Sequence, residues 1–393
     1  MPTPATSSVR LNRLLIFVEH HPANLALRKD AIREAFNIGH WDTARRLIDE
    51  GLRHQSDDAS LLALSGFSYL QAHHYGDAEE ALTGALLQGL DVAEVKYNLA
   101  FVTFEQKRYE EALLLLTPAV TERVPLALQL RARCLHHLGR RDEAIEHCRA
   151  HLAIVREDAE THGLLGLMLY ERSQFEAALP HMSAALANNP RQLEAMLVAA
   201  SLQSDSKNYD TARALFDELL HSHPECGRGW LGLALIELTQ LQVYAAKRNS
   251  ELATTYMPDH IGGWHVLAWT NILLGDILSA ELAFDRALSV DRNFCETHGG
   301  LAVIAAMQGR DVDARVSIKR ALRLDPQSLL AQYAQMLLLQ RTGRHTQAQQ
   351  LLNTVLGRTP ERMSVQHRDL VAAQLEYMKA VAQDEGSTSF GIH

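Results

Sequence analysis

Most signatures of a defined chemistry are missing from this chain of 393 residues. Its 4 cysteines, Cys134, Cys148, Cys226 and Cys295, are too few and too scattered for a disulfide framework in so long a chain, and a reducing cytoplasm is the expected home. No run of cations occurs and the net charge is −9, so nucleic acid is not the expected partner. The longest apolar stretches fall far short of the ~18 residues that cross a bilayer, and no membrane insertion is expected. The opening MPTPATSSVR lacks the charged start and apolar core of a secretory signal. Also lacking are C-x-x-C and H-E-x-x-H patterns, a glycine-rich phosphate loop, paired carboxylates and a Ser/His/Asp order, so no catalytic residue and no cofactor are expected. Arginine far exceeds lysine and alanine is abundant, a composition that fits a GC-rich bacterial genome.

What the chain does have is a phrase that keeps returning. In QFEAALPHMSAALANNP, Gln174 to Pro190, an aromatic is followed by Ala178, then Ala185, then a proline. Aligned on Ala178, a marker alanine recurs at Ala44, Ala78, Ala112, Ala144, Ala212, Ala246, Ala280, Ala314 and Ala348, at intervals of 34 residues except for the 32 between Ala112 and Ala144. Twelve residues before the marker, eight units carry Gly or Ala, from Gly66 and Ala100 through Ala302. Seven after it a small residue returns, at Gly51, Ala85, Ala119, Ala185, Ala253, Ala287 and Ala321.

Between these positions apolar residues follow helix spacing, as in HVLAWTNIL and AELAFDRAL. Gly39, Gly139, Gly275, Gly309 and Gly343 fall where a left-handed residue would end one helix, and an Asp or Asn beside an aromatic suits the start of the next. Each unit therefore reads as two short antiparallel helices, with small residues where the backbones come closest. Pro190, Pro224, Pro258, Pro326 and Pro360 are expected in the first turn of the following unit.

The pattern resembles the tetratricopeptide repeat family, most clearly in VKYNLAFVTFEQKRYEEALLLL and WHVLAWTNILLGDILSAELAFDRAL. The resemblance implies an all-α fold, a right-handed superhelical solenoid of antiparallel helix pairs. Ten repeats are expected over 25–360, after a disordered 1–10 and a capping helix over 11–24, and before a capping helix over 361–383 and a disordered tail over 384–393. Ile32 and Met336 replace the small residue in the terminal units. The fourth unit is two residues short and has His151 where a small residue belongs, and Pro118 predicts an irregularity over 117–128.

So complete an array leaves no room for a catalytic domain, which needs at least ~50 residues, and the expected activity is binding, not catalysis. The resemblance implies a chaperone-like scaffold or adaptor that takes a peptide or protein segment in a concave groove. Similar bacterial proteins suggest assembly of a secretion, pilus or envelope polysaccharide machine as the setting. Carried over from the family, the inward positions place Lys29, Arg33, Phe67, Tyr97, Phe101, Arg133, His265 and Trp269 in that groove, and one helical turn further Phe104, His136 and Tyr170. Against this stands a packing role, since aromatics at helix spacing more often wedge neighbouring helices, Phe104, Trp230 and Trp264 among them. Two other readings remain. One is self-association as a homo-oligomer. The other is a metal-binding or enzymatic use of the fourth unit's Cys134, His137, His147, Cys148 and His151, where His147 and His151 share a helix face.

Overall fold

The computed structural model describes residues 4–356, and every described element is a helix. The chain divides into two compact units, 1–161 and 162–393. The first holds α1 (Pro4–His20), α2 (Leu25–Asn37) with α3 (Trp41–His54), and α4 (Ala59–Gln71) with α5 (Tyr75–Leu87). It continues with α6 (Ala93–Glu105), α7 (Tyr109–Leu115) and α8 (Pro118–Arg123), then α9 (Leu126–His137) with α10 (Arg141–Ile154). The boundary falls inside α11 (Ala159–Glu171), which is followed by α12 (Phe175–Asn188). The second unit goes on with α13 (Leu193–Asp205) and α14 (Tyr209–Ser222), α15 (Gly227–Thr239) and α16 (Val243–Tyr256), and α17 (Ile261–Leu273) and α18 (Ile277–Val290). Its last described pairs are α19 (Cys295–Met307) with α20 (Asp311–Leu324) and α21 (Leu329–Arg341) with α22 (His345–Leu356).

The helix α1 begins at Pro4, so most of the stretch expected to lie outside any helix is helical; proline is tolerated in a first turn, and Pro22 ends the helix by disfavouring α geometry at His21. The helix expected over 361–383 and the tail over 384–393 lie outside the described residues.

The small-residue seams are where the spacing put them. Marker alanines 44 to 314 are fully buried, and at Gly66 an added Cβ would come within 2.5 Å of Leu82 Cγ. Ala119 is the exception: the chain breaks at Pro118, Ala119 turns to solvent and Val120 is buried instead. All ten hairpin turns share one backbone device. The residue five before each marker has positive φ, between 57° and 76°, whether it is a glycine or His73, Lys107, Ser173, Lys207 or Leu241. The next N–H reaches back to a carbonyl five residues earlier, as in His40 to Ala35 (2.8 Å) and Gln242 to Glu237 (2.8 Å), which closes the preceding helix.

The turns between hairpins are held differently. Pro190, Pro224, Pro258 and Pro326 lie in the connections, three residues before the next helix and not in its first turn. A proline there stops the preceding helix and leaves the N-cap, two residues on, free to accept, as Gln192 does from Ala195 N and Ser328 from Ala331 N. Five times a side chain in the first turn of a helix then donates to the carbonyl six residues upstream. These are Arg28 to Pro22 (3.0 Å), Trp230 to Pro224 (2.8 Å), Trp264 to Pro258 (2.7 Å), His298 to Arg292 (2.9 Å) and Gln332 to Pro326 (3.2 Å).

The expected irregularity over 117–128 is present. Pro118 offers no N–H to continue α7, which stops at Leu115. Its last carbonyls are capped from the next hairpin, where Arg131 donates to Leu116 O at 2.7 Å and Leu113 O at 3.5 Å.

Candidate partner-binding face

The residues expected in the groove do not share one environment. In the first unit, Phe67, Tyr97, Phe101 and Phe104 are half-buried and Arg33 is exposed. Their rings lie in two groups. Phe67 meets Phe36 edge-on at 5.4 Å and lies 6.3 Å from Trp41. Phe104 lies 5.5 Å from Tyr109 and 5.6 Å from His137, which itself stacks on Tyr109 at 4.5 Å. Phe104 is thus wedged between α6, α7 and α9, the packing role weighed against it. Between the groups, Tyr97 and Phe101 pack against the core formed by Ala100, Ala127, Leu130 and Cys134 while keeping part of each ring open.

Tyr97 is chemically the most open of these. Burial of its ring raises the phenol above its ordinary value, so it stays protonated at neutral pH, and among the described residues its hydroxyl has no hydrogen-bond partner. Arg33 makes only an exposed contact with Asp30 three residues away, at 3.2 Å. Lys29 is committed elsewhere: its ammonium lies 2.7 Å from Asp58, the N-cap of α4. Burial pushes the Asp58 carboxyl up, but the hydrogen bonds from Lys29 and Leu61 N outweigh it and hold it below the usual range. Lys29 is therefore a tie between hairpins. Arg133 and His136 are half-buried on α9, with Arg133 3.2 Å from Glu160.

In the second unit the expected groove residues are covered. Tyr170, His265 and Trp269 are buried. The Tyr170 hydroxyl donates to Asp205 at 2.9 Å. His265 pairs with Thr297 Oγ1 at 2.9 Å and lies edge-on to Phe284 and Phe294, inside the packing between hairpins. Trp269 sits in the core cluster with Tyr333, its ring centre 6.4 Å away. As placed, none of the three offers an open surface.

The His/Cys cluster of the fourth hairpin is tied into the break ahead of it. Cys134, Cys148 and His151 are fully buried, while His137 is exposed and stacked on Tyr109. His151 Nδ1 donates to Pro125 O at 3.0 Å, and His147 Nε2 accepts from Arg131 Nε at 3.0 Å, fixing the side chain that caps α7. Burial pushes the Cys134 thiol up to about 12. Burial, with the Arg131 charge second, lowers the His147 imidazole. Among the described residues no group of three or more His, Cys, Asp or Glu side chains is placed to hold a metal ion.

Two family models match, both described as tetratricopeptide repeat, one over residues 65–123 and the other over 169–236. The chain carries tetratricopeptide repeats. Solved structures of the same architecture include a human IFIT1 dimer with m7Gppp-AAAA, 16% identical, covering 98% of this chain and 96% of that one with a TM-score of 0.56. A tetratricopeptide repeat protein from Parabacteroides merdae is 21% identical over 63% of this chain and 98% of that one, with a TM-score of 0.48. The pilF protein of Pseudomonas aeruginosa is 18% identical over 50% of this chain and 92% of that one, with a TM-score of 0.43. At these identities the likeness is one of fold alone. No curated protein sequence matches the chain. Repeats of this kind support a protein-interaction scaffold, and no helix among the described residues is long and apolar enough to cross a membrane.

The two ring groups have members that inward spacing alone did not supply. Phe36 and Trp41 complete the group around Phe67, and Tyr109 completes the one around Phe104. For Trp41 and Tyr109 the signal was in the sequence, as an aromatic three residues before the marker alanine in five units: Trp41, Tyr75, Tyr109, Phe175 and Tyr209.

Proposed function

We propose that this protein is a non-enzymatic scaffold whose first unit holds an apolar or amphipathic segment of a partner protein. The segment lies over Phe67, Tyr97 and Phe101, with Arg33 flanking one end and Arg133 and His136 the other. The observation that carries this reading is the contrast between the units: Phe67, Tyr97 and Phe101 of the first are half-open, whereas Tyr170, His265 and Trp269 are sealed. A half-buried ring loses little rotamer freedom on binding and brings a large contact area, and the partnerless Tyr97 hydroxyl supplies one polar contact to a backbone carbonyl.

The test is recovery of partner proteins by the full-length chain, compared with a Phe67→Ala/Phe101→Ala variant whose melting is followed by circular dichroism. Each truncation at a half-buried anchor is expected to cost about 2 kcal/mol, roughly thirtyfold in affinity. Unchanged recovery by a folded double variant would count against the first-unit face.

A further inference from the structure

A second surface lies on the other helices of the second unit. Two positions per hairpin, two residues before and two after the marker alanine, sit one helical turn apart and point outward. In the first hairpins no helix carries an apolar residue at both, as with Asp42 and Arg46 on α3, or Glu110 on α7 beside an isolated exposed Leu114. Over three consecutive hairpins they turn apolar, at one position on α16, where Arg248 is the other, and at both on α18 and α20. Tyr244 of α16 is 83% exposed, Leu278 and Leu282 of α18 are 72% and 65% exposed, and Val312 and Val316 of α20 are 74% and 64% exposed.

Ion pairs stitch these helices side by side. Lys247 of α16 lies 3.6 Å from Asp276, just ahead of α18, and Arg310, just ahead of α20, lies 2.6 Å from Glu281 of α18. The apolar side chains flank these bridges, so they form one stripe with an area on the order of 600 Å². That lies at the upper end of the ~300–600 Å² of the largest patch on an ordinary monomer and approaches the ~800 Å² one partner gives to a stable interface.

We propose that this stripe is a two-fold interface with a second copy of the chain, α18 of one copy lying antiparallel on α20 of the other. The charges beside the stripe decide the occupant. With Leu282 set against Val316, antiparallel apposition brings Glu281 towards Lys319, Asp285 towards Arg315 and Arg286 towards Asp313. All three pairs are of opposite sign, and the two-fold repeats each once. Asp285, Arg286, Asp313, Arg315 and Lys319 are exposed in the isolated chain. Glu281 and Asp285 on α18 against Arg315 and Lys319 on α20, with the signs reversed at Arg286 and Asp313, form a pattern that complements itself when turned over, which a partner of a single charge sign would not match.

The experiment is sedimentation equilibrium on the purified full-length chain. A dimer is expected at micromolar concentration, and Leu282→Glu/Val316→Glu is expected to be monomeric with unchanged circular dichroism, since both side chains face solvent. Asp285→Arg should weaken the dimer at least about tenfold, and adding Arg315→Asp should restore it, because only this register pairs those two positions. A monomeric wild-type chain, a dimer indifferent to the Leu282/Val316 change, or a failure of the charge swap to rescue would each overturn the proposal. All of these substitutions lie outside the first-unit face, so their outcome is independent of partner recovery through Phe67 and Phe101.

Discussion

Replacing Gly300 with alanine tests how the hairpins are matched to one another. On an exposed helix that change is favourable by up to ~1 kcal/mol, because glycine has more backbone freedom to lose. In α19 the added Cβ would lie 2.3 Å from Phe284 Cζ and 2.4 Å from its Cε1. The Phe284 ring is fully buried and held edge-on by His265 at 5.2 Å, so it cannot swing aside. Overpacking of this kind costs ~1–3 kcal/mol, and set against the helix gain a net loss of about 1–2 kcal/mol is expected. The same geometry recurs at Gly232, whose added Cβ would lie 2.3 Å from Phe216 Cζ. Where the preceding helix instead carries Ile48 or Ile318, the matching positions hold Leu64 and Ala334. Phe284→Leu should therefore recover much of the loss in the Gly300→Ala background, giving a coupling of about 1 kcal/mol or more in a double-mutant cycle. Urea unfolding followed by circular dichroism measures it, with Gly76→Ala as the control, since nothing lies within 4 Å of a Cβ there. The reasoning fails if Gly300→Ala stabilises the protein as Gly76→Ala does, or if the two changes simply add.

Two further outcomes follow from the turns and caps. Leu241 is exposed and left-handed at φ 57°, so Leu241→Gly should raise stability by about 0.5–1 kcal/mol in the same urea titration, relief of side-chain strain exceeding glycine's entropic cost. Glu296, buried beneath the start of α21, accepts from Leu329 N at 2.8 Å, Leu330 N at 3.0 Å and Ser328 Oγ at 3.1 Å, and burial raises its carboxyl despite those bonds. The folded state thus binds this proton more tightly than the unfolded state, so its contribution is full below the ordinary glutamate value of ~4.3 and is lost as pH rises through the folded pKa. The stability difference between wild type and Glu296→Gln should shift against the wild type as pH rises across that window, and a pH-independent difference would refute it.

The seams were legible because a marker alanine buried between two backbones tolerates nothing larger, so letter and location coincide. The turns were half legible. Five of them use glycine, whereas His73, Lys107, Ser173, Lys207 and Leu241 adopt the same left-handed backbone at a cost the rest of the hairpin offsets. The prolines were visible but misplaced by a few residues, since helix-stopping and first-turn positions look alike in a list of letters. The groove was the least legible part. Inward spacing gave Phe67 and Trp269 equal standing, and only neighbouring side chains decide that one is half-open and the other sealed. Lys29 shared the same inward spacing, and nothing in the letters marked its partner Asp58 on the following hairpin.

The bond from a first-turn side chain back to the carbonyl six residues upstream has a consequence of its own. Arginine, tryptophan, histidine and glutamine all make it, so what those five positions share is the reach of an N–H rather than any residue identity. The connector stays latched while the latching group changes from a guanidinium to an indole, an imidazole or an amide, buried at Arg28, His298 and Gln332 and half-buried at Trp230 and Trp264. Successive bends along the chain can therefore differ in the size and charge of the side chain they enclose while keeping one internal fastening.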